Sequence, residues 1–328
     1  MNKEIKELNK KAEKYSKVIE KAKEEISKTI VGQDEVVEKI LLGLMANGHI
    51  LIEGVPGLAK TMIIKTLSGA LDSDFTRLQF TPDLLPADII GTKIYKHEES
   101  KFETIKGPIF SNFILADEIN RAPPKVQSAL LEAMQERQVT IQGETYKISP
   151  PFMVLATQNP IESEGTYKLP EAQVDRFAFK IIIEYPTKEQ ESEIMHRFTE
   201  NIKISTSKII SEKQILEIQK FNREIYADEK IRNYVAKIID ATRNPEKYNL
   251  DFKEHIEFGA SPRASLWLIL AAKASAMLNA RGYVKPEDIK KVAHEVLRHR
   301  LILTYEAEAD EITPDEIITK LLNKIRAP

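Results

Sequence analysis

Between the apolar run His49 to Glu53 and the helix-like stretch Met62 to Leu71, the chain reads Gly54-Val55-Pro56-Gly57-Leu58-Ala59-Lys60-Thr61. A strand that hands the chain to a glycine-containing turn, followed at once by a helix, constrains the topology more than any other stretch. The glycines let backbone N–H groups converge on one point, and the helix N-terminus adds partial positive charge there, so the loop suits phosphate. The P-loop pattern places a Lys for the β- and γ-phosphates and a hydroxyl for Mg²⁺ at the next two offsets, and these are Lys60 and Thr61. The strict pattern has Gly where this chain has Ala59, whose one methyl is the smallest departure. Taken alone, the octet also fits a glycine-rich turn with an exposed Lys, so its meaning depends on what accompanies it.

At 328 residues the chain exceeds the usual size of one core, and two domains are expected. Lys and Arg number 48 against 50 Asp and Glu. Such a balance offers no bulk attraction to nucleic acid or to an anionic membrane. With no cysteine, disulfides, thiolate metal sites and thiol nucleophiles are excluded, and any metal must use oxygen or imidazole. No apolar run approaches the ~20 residues of a membrane span, and the first residues are rich in Lys and Glu. The expectation is a cytoplasmic protein without membrane insertion.

Three segments are expected: a charged amphipathic helix over 1–29, an α/β nucleotide-binding core over 30–186, and a helical domain over 187–328. In the first, Ile5, Leu8, Ala12, Tyr15, Ile19, Ala22 and Ile26 recur in steps of three and four. This stripe fits either a helix folded onto its own domain or one that pairs with a partner. In the core, apolar runs at Ile50 to Glu53, Phe75 to Phe80, Phe113 to Ala116, Phe152 to Thr157 and Phe179 to Glu184 alternate with helical patterns. Five such runs predict a parallel sheet covered on both faces. Gly91 to Gly107 and Val139 to Ile148 read as two inserted β-hairpins, the second turning at Gly143. After Tyr185-Pro186 the pattern predicts helices alone: Thr187 to Asn201, Ser211 to Tyr226, Ile231 to Thr242, Pro262 to Ala280, Pro286 to Arg300 and Pro314 to Arg326. Ser261-Pro262 and Thr313-Pro314 are expected to cap two of them.

The third strand ends in Asp117-Glu118, two carboxylates where a sheet would present them beside the phosphate loop. The fourth ends Ala156-Thr157-Gln158-Asn159-Pro160, which places an amide at the same edge. His294 and His299 lie five apart and no His-Glu-x-x-His occurs, so no metal site is assigned to histidine.

With these stretches the chain resembles the AAA+ ATPases, and among them the MoxR-type members of the helix-2-insert group. The resemblance extends through Leu115 to Gln127, Leu169-Pro170-Glu171-Ala172-Gln173-Val174-Asp175-Arg176-Phe177 and Gly259-Ala260-Ser261-Pro262-Arg263-Ala264, and spans Ile30 to about Ala309. It implies an AAA+ α/β fold with a five-stranded parallel sheet and two β-hairpin inserts, followed by a smaller all-α lid. By the same resemblance, Gly54, Val55, Pro56, Gly57, Leu58, Ala59, Lys60, Thr61 and Met62 hold the nucleotide. Gly32 and Gln33, in Val31-Gly32-Gln33, line its adenine pocket. Asp117 is the Mg²⁺-associated acid with Thr61, Glu118 the catalytic base, and Asn159 the first sensor. Arg176 resembles a finger that reaches the γ-phosphate of a neighbouring subunit. Arg263 resembles the second sensor, expected to touch the nucleotide of its own subunit. Arg121 is a further candidate for contact across a subunit boundary, or a surface ion pair.

The implied activity is Mg²⁺-dependent hydrolysis of ATP by a homo-oligomeric ring, hexameric in the family. It would act as a chaperone-like remodelling or maturation motor on protein clients, with a von Willebrand factor A domain protein as partner. Two other readings stay open: a nucleic-acid-associated motor, against which the near-neutral charge argues, and an ATP-gated scaffold that does not hydrolyse.

Overall fold

The computed structural model describes residues 3–55, 57–160, 165–199 and 206–328; Pro56 and the last two residues of the helix expected over Thr187 to Asn201 lie outside them. Along the chain, β1 (Ile50–Glu53) and β2 (Phe75–Gln79) are followed by a hairpin of β3 (Gly91–Lys96) and β4 (Lys101–Lys106) and then by β5 (Phe113–Asp117). A second hairpin of β6 (Gln138–Ile141) and β7 (Glu144–Lys147) precedes β8 (Met153–Gln158) and β9 (Phe179–Ile182). Five of these strands form one sheet in the order β2-β5-β8-β1-β9, with every pair parallel.

Both faces of the sheet are covered, because successive side chains in a strand point to opposite sides. Ile50, Ile52, Phe113, Leu115, Met153 and Leu155 sink into one core. Leu51, Ile114, Ala116, Val154 and Ala156 sink into a second core on the other face. This double burial explains why β5 and β8 are apolar up to Ala116 and Ala156, as strands of a covered parallel sheet are, before their polar carboxyl-terminal ends. The edge strand β2 is less covered and carries Arg77 and Gln79 on alternate positions.

Helices α1 (Lys3–Ser27), α2 (Asp34–Met45) and α3 (Lys60–Ala70) lie against the first core. Ala12, Ile19, Ala22 and Ile26 of the expected stripe are buried there, with Leu8 and Tyr15 packed beside them. The stripe therefore folds onto its own chain. Ser16 Oγ donates to Leu278 O at 2.7 Å, and Gly282 N donates to Asn9 Oδ1 at 2.7 Å. A Cβ on Gly282 would lie 2.4 Å from Leu8 Cβ, so the close approach requires glycine. In the crossover between β2 and β5 lies α4 (Pro86–Ile90); α5 (Pro124–Glu136) and the short α6 (Glu171–Val174) complete the α/β part. The two hairpins are joined by Lys93 to Glu144 at 2.6 Å and Thr104 Oγ1 to Tyr146 Oη at 2.8 Å.

The remaining helices are α7 (Lys188–Thr199), α8 (Glu212–Glu224), α9 (Glu229–Arg243), α10 (Pro262–Leu278), α11 (Pro286–Leu297), α12 (Tyr305–Ala309) and α13 (Pro314–Lys324). The expectation of helices alone in this half needs correction. Strands β10 (Ile256–Phe258) and β11 (Ile302–Leu303) pair antiparallel beneath α12. Helix α11 also stops at Leu297 instead of Arg300, because the next three side chains turn toward β9. Thr313 caps α13 as expected, accepting from Glu316 N. Ser261 has cap geometry, but its hydroxyl donates to Asp175 at 2.8 Å instead of capping α10.

Candidate active site

The phosphate loop leaves β1 while still tethered to β8, since Gly54 N donates to Gln158 O at 3.4 Å. A Cβ on Gly54 would press 3.1 Å from Ile183 O, the backbone just past β9. Gly57 has open space around it but a φ of +86°, so its glycine serves the left-handed turn. Ala59 also has a left-handed φ, 54°, and begins α3 with no side-chain cap. That geometry is the reason the strict pattern has Gly here, and an alanine in it carries strain of the kind found at ligand sites. Leu58 is buried and anchors the loop in the first core. Across the loop, Lys60 Nζ donates to Gly54 O at 2.7 Å. Thr61 and Met62 follow, half-buried, in the first turn of α3.

Asp117 ends β5 at the same carboxyl-terminal edge of the sheet, buried at 8% exposure. Thr157, one strand over, donates its hydroxyl to Asp117 Oδ1 at 2.7 Å and accepts from Glu118 N at 2.9 Å. This hydroxyl therefore locks both acids to β8. Arg77 reaches Asp117 Oδ2 with Nη2 at 2.6 Å and Nε at 3.1 Å. Glu118 adopts φ 57°, which breaks the strand direction at the second acid. Its Oε2 accepts from Gln79 Nε2 at 3.0 Å and lies 3.1 Å from Arg121 Nε. Arg121 thus pairs with the acid three residues before it. Asn159, just beyond β8, is buried at the same edge. Sequence reasoning missed Arg77, Gln79 and Thr157; the alternation of polar residues along β2 was the available signal for the first two.

Gly32 and Gln33 line a cleft of about 510 Å³ with Tyr185, Gln190, Arg298 and Asp315. Its size falls within the ordinary range for small-molecule sites. It adjoins the phosphate loop through the segment after β9, where Gln33 Nε2 donates to Glu184 O at 3.4 Å and Ile183 abuts Gly54. From the helical half, Thr187 and Gln190 at the start of α7 reach this cleft, as do Arg298 and Asp315 from beyond α11.

Arg176 and Arg263 lie elsewhere. Ala178 N donates to His49 O at 2.8 Å and Phe179 registers with Ile50, so Arg176 sits at the amino-terminal edge of the sheet. The loop, Asp117, Glu118 and Asn159 occupy the carboxyl-terminal edge, a strand's length away, roughly 10 Å or more at the usual rise. Arg263 Nη1 lies 3.4 Å from Asp175 Oδ2 and its Nη2 3.5 Å from Gln135 Oε1. Arg263, expected to touch the nucleotide of its own chain, is thus placed at the edge opposite its own loop. The cause is the tie between Ser261 and Asp175, which pins the start of α10 to the amino-terminal edge. There Arg137, Arg176, Arg223 and Arg263 face a cleft of about 430 Å³ whose lining, among the described residues, includes no carboxylate. Burial lowers the Arg137 guanidinium to about 10. Burial and the nearby Arg137 charge hold His49 neutral, well below its ordinary pKa. Arg176 Nε is buried without a hydrogen-bond partner among the described residues. An orphaned buried donor costs ~1 to 3 kcal/mol, and such groups call for a role.

Residues 49–179 match the model of the ATPase family associated with various cellular activities (AAA), and 250–321 match an AAA lid domain. Chaperone MoxR1 of Mycobacterium tuberculosis is 49% identical over 94% of this chain and 82% of its own length. Protein MoxR of Methylorubrum extorquens is 30% identical over 91% of this chain and 92% of its own. A crystal structure of a candidate ATPase from Cytophaga hutchinsonii superposes with a TM-score of 0.92, at 49% identity and with both chains fully covered. Among the described residues, no helix is long and apolar enough to cross a membrane.

Proposed function

Because the chain belongs to the MoxR-type AAA+ ATPases, we propose that it hydrolyses ATP with Mg²⁺ as one member of a homo-oligomeric ring, hexameric as the resemblance implies. The observation that carries this reading is the separation of two polar groupings. Lys60, Thr61, Asp117, Glu118 and Asn159 lie at one edge of the sheet, and Arg176 with Arg263 lies at the other. No single protomer can close its arginines over its own phosphate loop, whereas a head-to-tail neighbour can.

In this reading Gly54 to Met62 hold the triphosphate, and Lys60 exchanges its contact with Gly54 O for phosphate oxygens. The oxygen-only donor set suits a hard cation. Among the described residues no three His, Cys, Asp or Glu side chains gather, so the ion would rest on Thr61, Asp117 and phosphate oxygens, as Mg²⁺ commonly does. Bound there, Mg²⁺ would neutralise charge on the phosphate oxygens. Glu118 orients and deprotonates the attacking water, with Asn159 beside it, and the bonds from Gln79 and Arg121 hold the glutamate until then. Gly32 and Gln33 take the base.

The proposed work is remodelling or maturation of protein clients, with a von Willebrand factor A domain protein as partner and a cytoplasmic setting. A nucleic-acid track is disfavoured by the hairpins, where Lys93 pairs with Glu144, Lys96 with Glu103 and Lys101 with Glu99. The test is phosphate release by the purified chain. Turnover should need Mg²⁺ and ATP, and Glu118→Gln should bind ATP yet turn over ~10² to 10⁴ times more slowly. Unchanged turnover in that variant would remove Glu118 from the base role.

A further inference from the structure

Arg298, His299 and Arg300 follow α11, and all three side chains reach backbone carbonyls of the segment that carries Arg176. Arg300 Nη2 donates to Asp175 O at 2.9 Å and Phe177 O at 2.6 Å, its Nη1 to Ala178 O at 3.2 Å, and its Nε to the Asp175 carboxylate at 2.7 Å. His299 Nε2 lies 3.1 Å from Phe177 O, and Arg298 Nη1 donates to Lys180 O at 2.8 Å. The carbonyls on either side of Arg176 are thereby held by one guanidinium whose side chain has 0% exposure. Burial lowers that guanidinium to about 10 despite the Asp175 charge, so placing it there is costly. Asp175 also accepts from Ser261 Oγ at 2.8 Å and from Arg263 Nη1 at 3.4 Å. Two of the four arginines of the amino-terminal edge, Arg176 through its backbone and Arg263 through its side chain, thus hang from one Asp175–Arg300 node.

We propose that Arg300 is a positioning residue for hydrolysis in the neighbouring protomer: it sets the backbone at Asp175 to Ala178 so that Arg176 and Arg263 are presented together. This rests on the ring reading above. Only a planar, forked donor can span Asp175 O, Phe177 O and the Asp175 carboxylate at once, which a lysine cannot imitate. Arg300 itself is buried behind the segment and would touch no phosphate.

The test mixes protomers. Alone, Arg300→Gln and Arg300→Lys should each lose turnover ~10-fold or more, within the reach of a misplaced arginine finger, while the Kd for a fluorescent ATP analogue shifts less than about threefold. Mixed with Lys60→Ala, which cannot hydrolyse but offers intact arginines, either variant should regain turnover, because its own phosphate loop is sound. The control pair, Arg176→Ala with Lys60→Ala, should recover likewise. Recovery in the control without recovery in the Arg300 mixtures overturns the positioning role and leaves the ring reading standing. No recovery in either overturns both. If Arg300→Gln does not fold, as thermal melting would show, the Arg300→Lys mixture decides alone, and wild-type turnover in a folded Arg300 variant overturns the proposal.

Discussion

The two edges of the central sheet differ in how completely they are satisfied. At the carboxyl-terminal edge both acids that follow β5's apolar run have partners: Asp117 is held by Thr157 and Arg77, and Glu118 by Gln79 and Arg121. At the amino-terminal edge, among the described residues, four arginines line a cleft with no carboxylate in its lining, and Arg176 Nε has no hydrogen-bond partner. Among the described residues, only Arg263 of the four has a carboxylate within ion-pair distance, Asp175 at 3.4 Å, and like charges gathered in this way are costly to keep. In the ring proposed above, this second edge would face the triphosphate of a neighbouring copy.

That contrast can be broken most severely at Arg176. Arg176→Ala should cut turnover ~10³-fold or more, the scale of an arginine finger, with little change in ATP affinity. A matched loss of affinity in a nucleotide titration would place Arg176 in its own chain's pocket instead. Next in size is Thr157→Val, which strips Asp117 and the Glu118 amide of a shared partner. With two buried groups left short at ~1 to 3 kcal/mol each, denaturant unfolding should show a loss of at least about 2 kcal/mol, and turnover should fall with it. A change of a few tenths would mean the bridge is dispensable.

A smaller effect concerns pH. His49 and His299 are held neutral by burial first, aided by the charges of Arg137 and Arg300 respectively. Their folded pKa values lie below the ~6.5 of the unfolded chain, so below that value the unfolded state binds more protons. Stability should be unaffected by these groups above about pH 7 and fall as pH drops through 6.5, by up to ~1.4 kcal/mol per unit for each group. Denaturation midpoints from pH 7.5 to 5.5 check the slope, and His49→Gln should flatten it. The smallest expected change is Ala59→Gly, which relieves a left-handed alanine and should stabilise by ~0.5 kcal/mol, read as a slight rise in melting temperature.

The carboxyl-terminal edge was legible because its chemistry is local. Strand, loop and helix are consecutive at Ile50 to Leu71, and Asp117-Glu118 and Asn159 each end an apolar run. The parallel sheet followed from runs apolar on both faces. The edge at which Arg263 sits was not legible, because its position depends on a bond from Ser261 to Asp175, eighty-six residues apart in sequence. Arg298 and Arg300 read as the end of a helix, since nothing in their local pattern shows that carbonyls of β9 and of the segment before it await them. The strands β10 and β11 have three and two residues, too few for alternation to register.

The pairing of Ile50 with Phe179 and Glu53 with Ile182 in one rigid sheet has a geometric consequence. It gives the molecule a polarity, with the loop at one end of the sheet and the arginines at the other, so in the proposed ring copies would join like links all facing the same way. Such links have no two-fold partner, and only the small angle between successive copies decides whether the series meets its own beginning or winds on as a spiral.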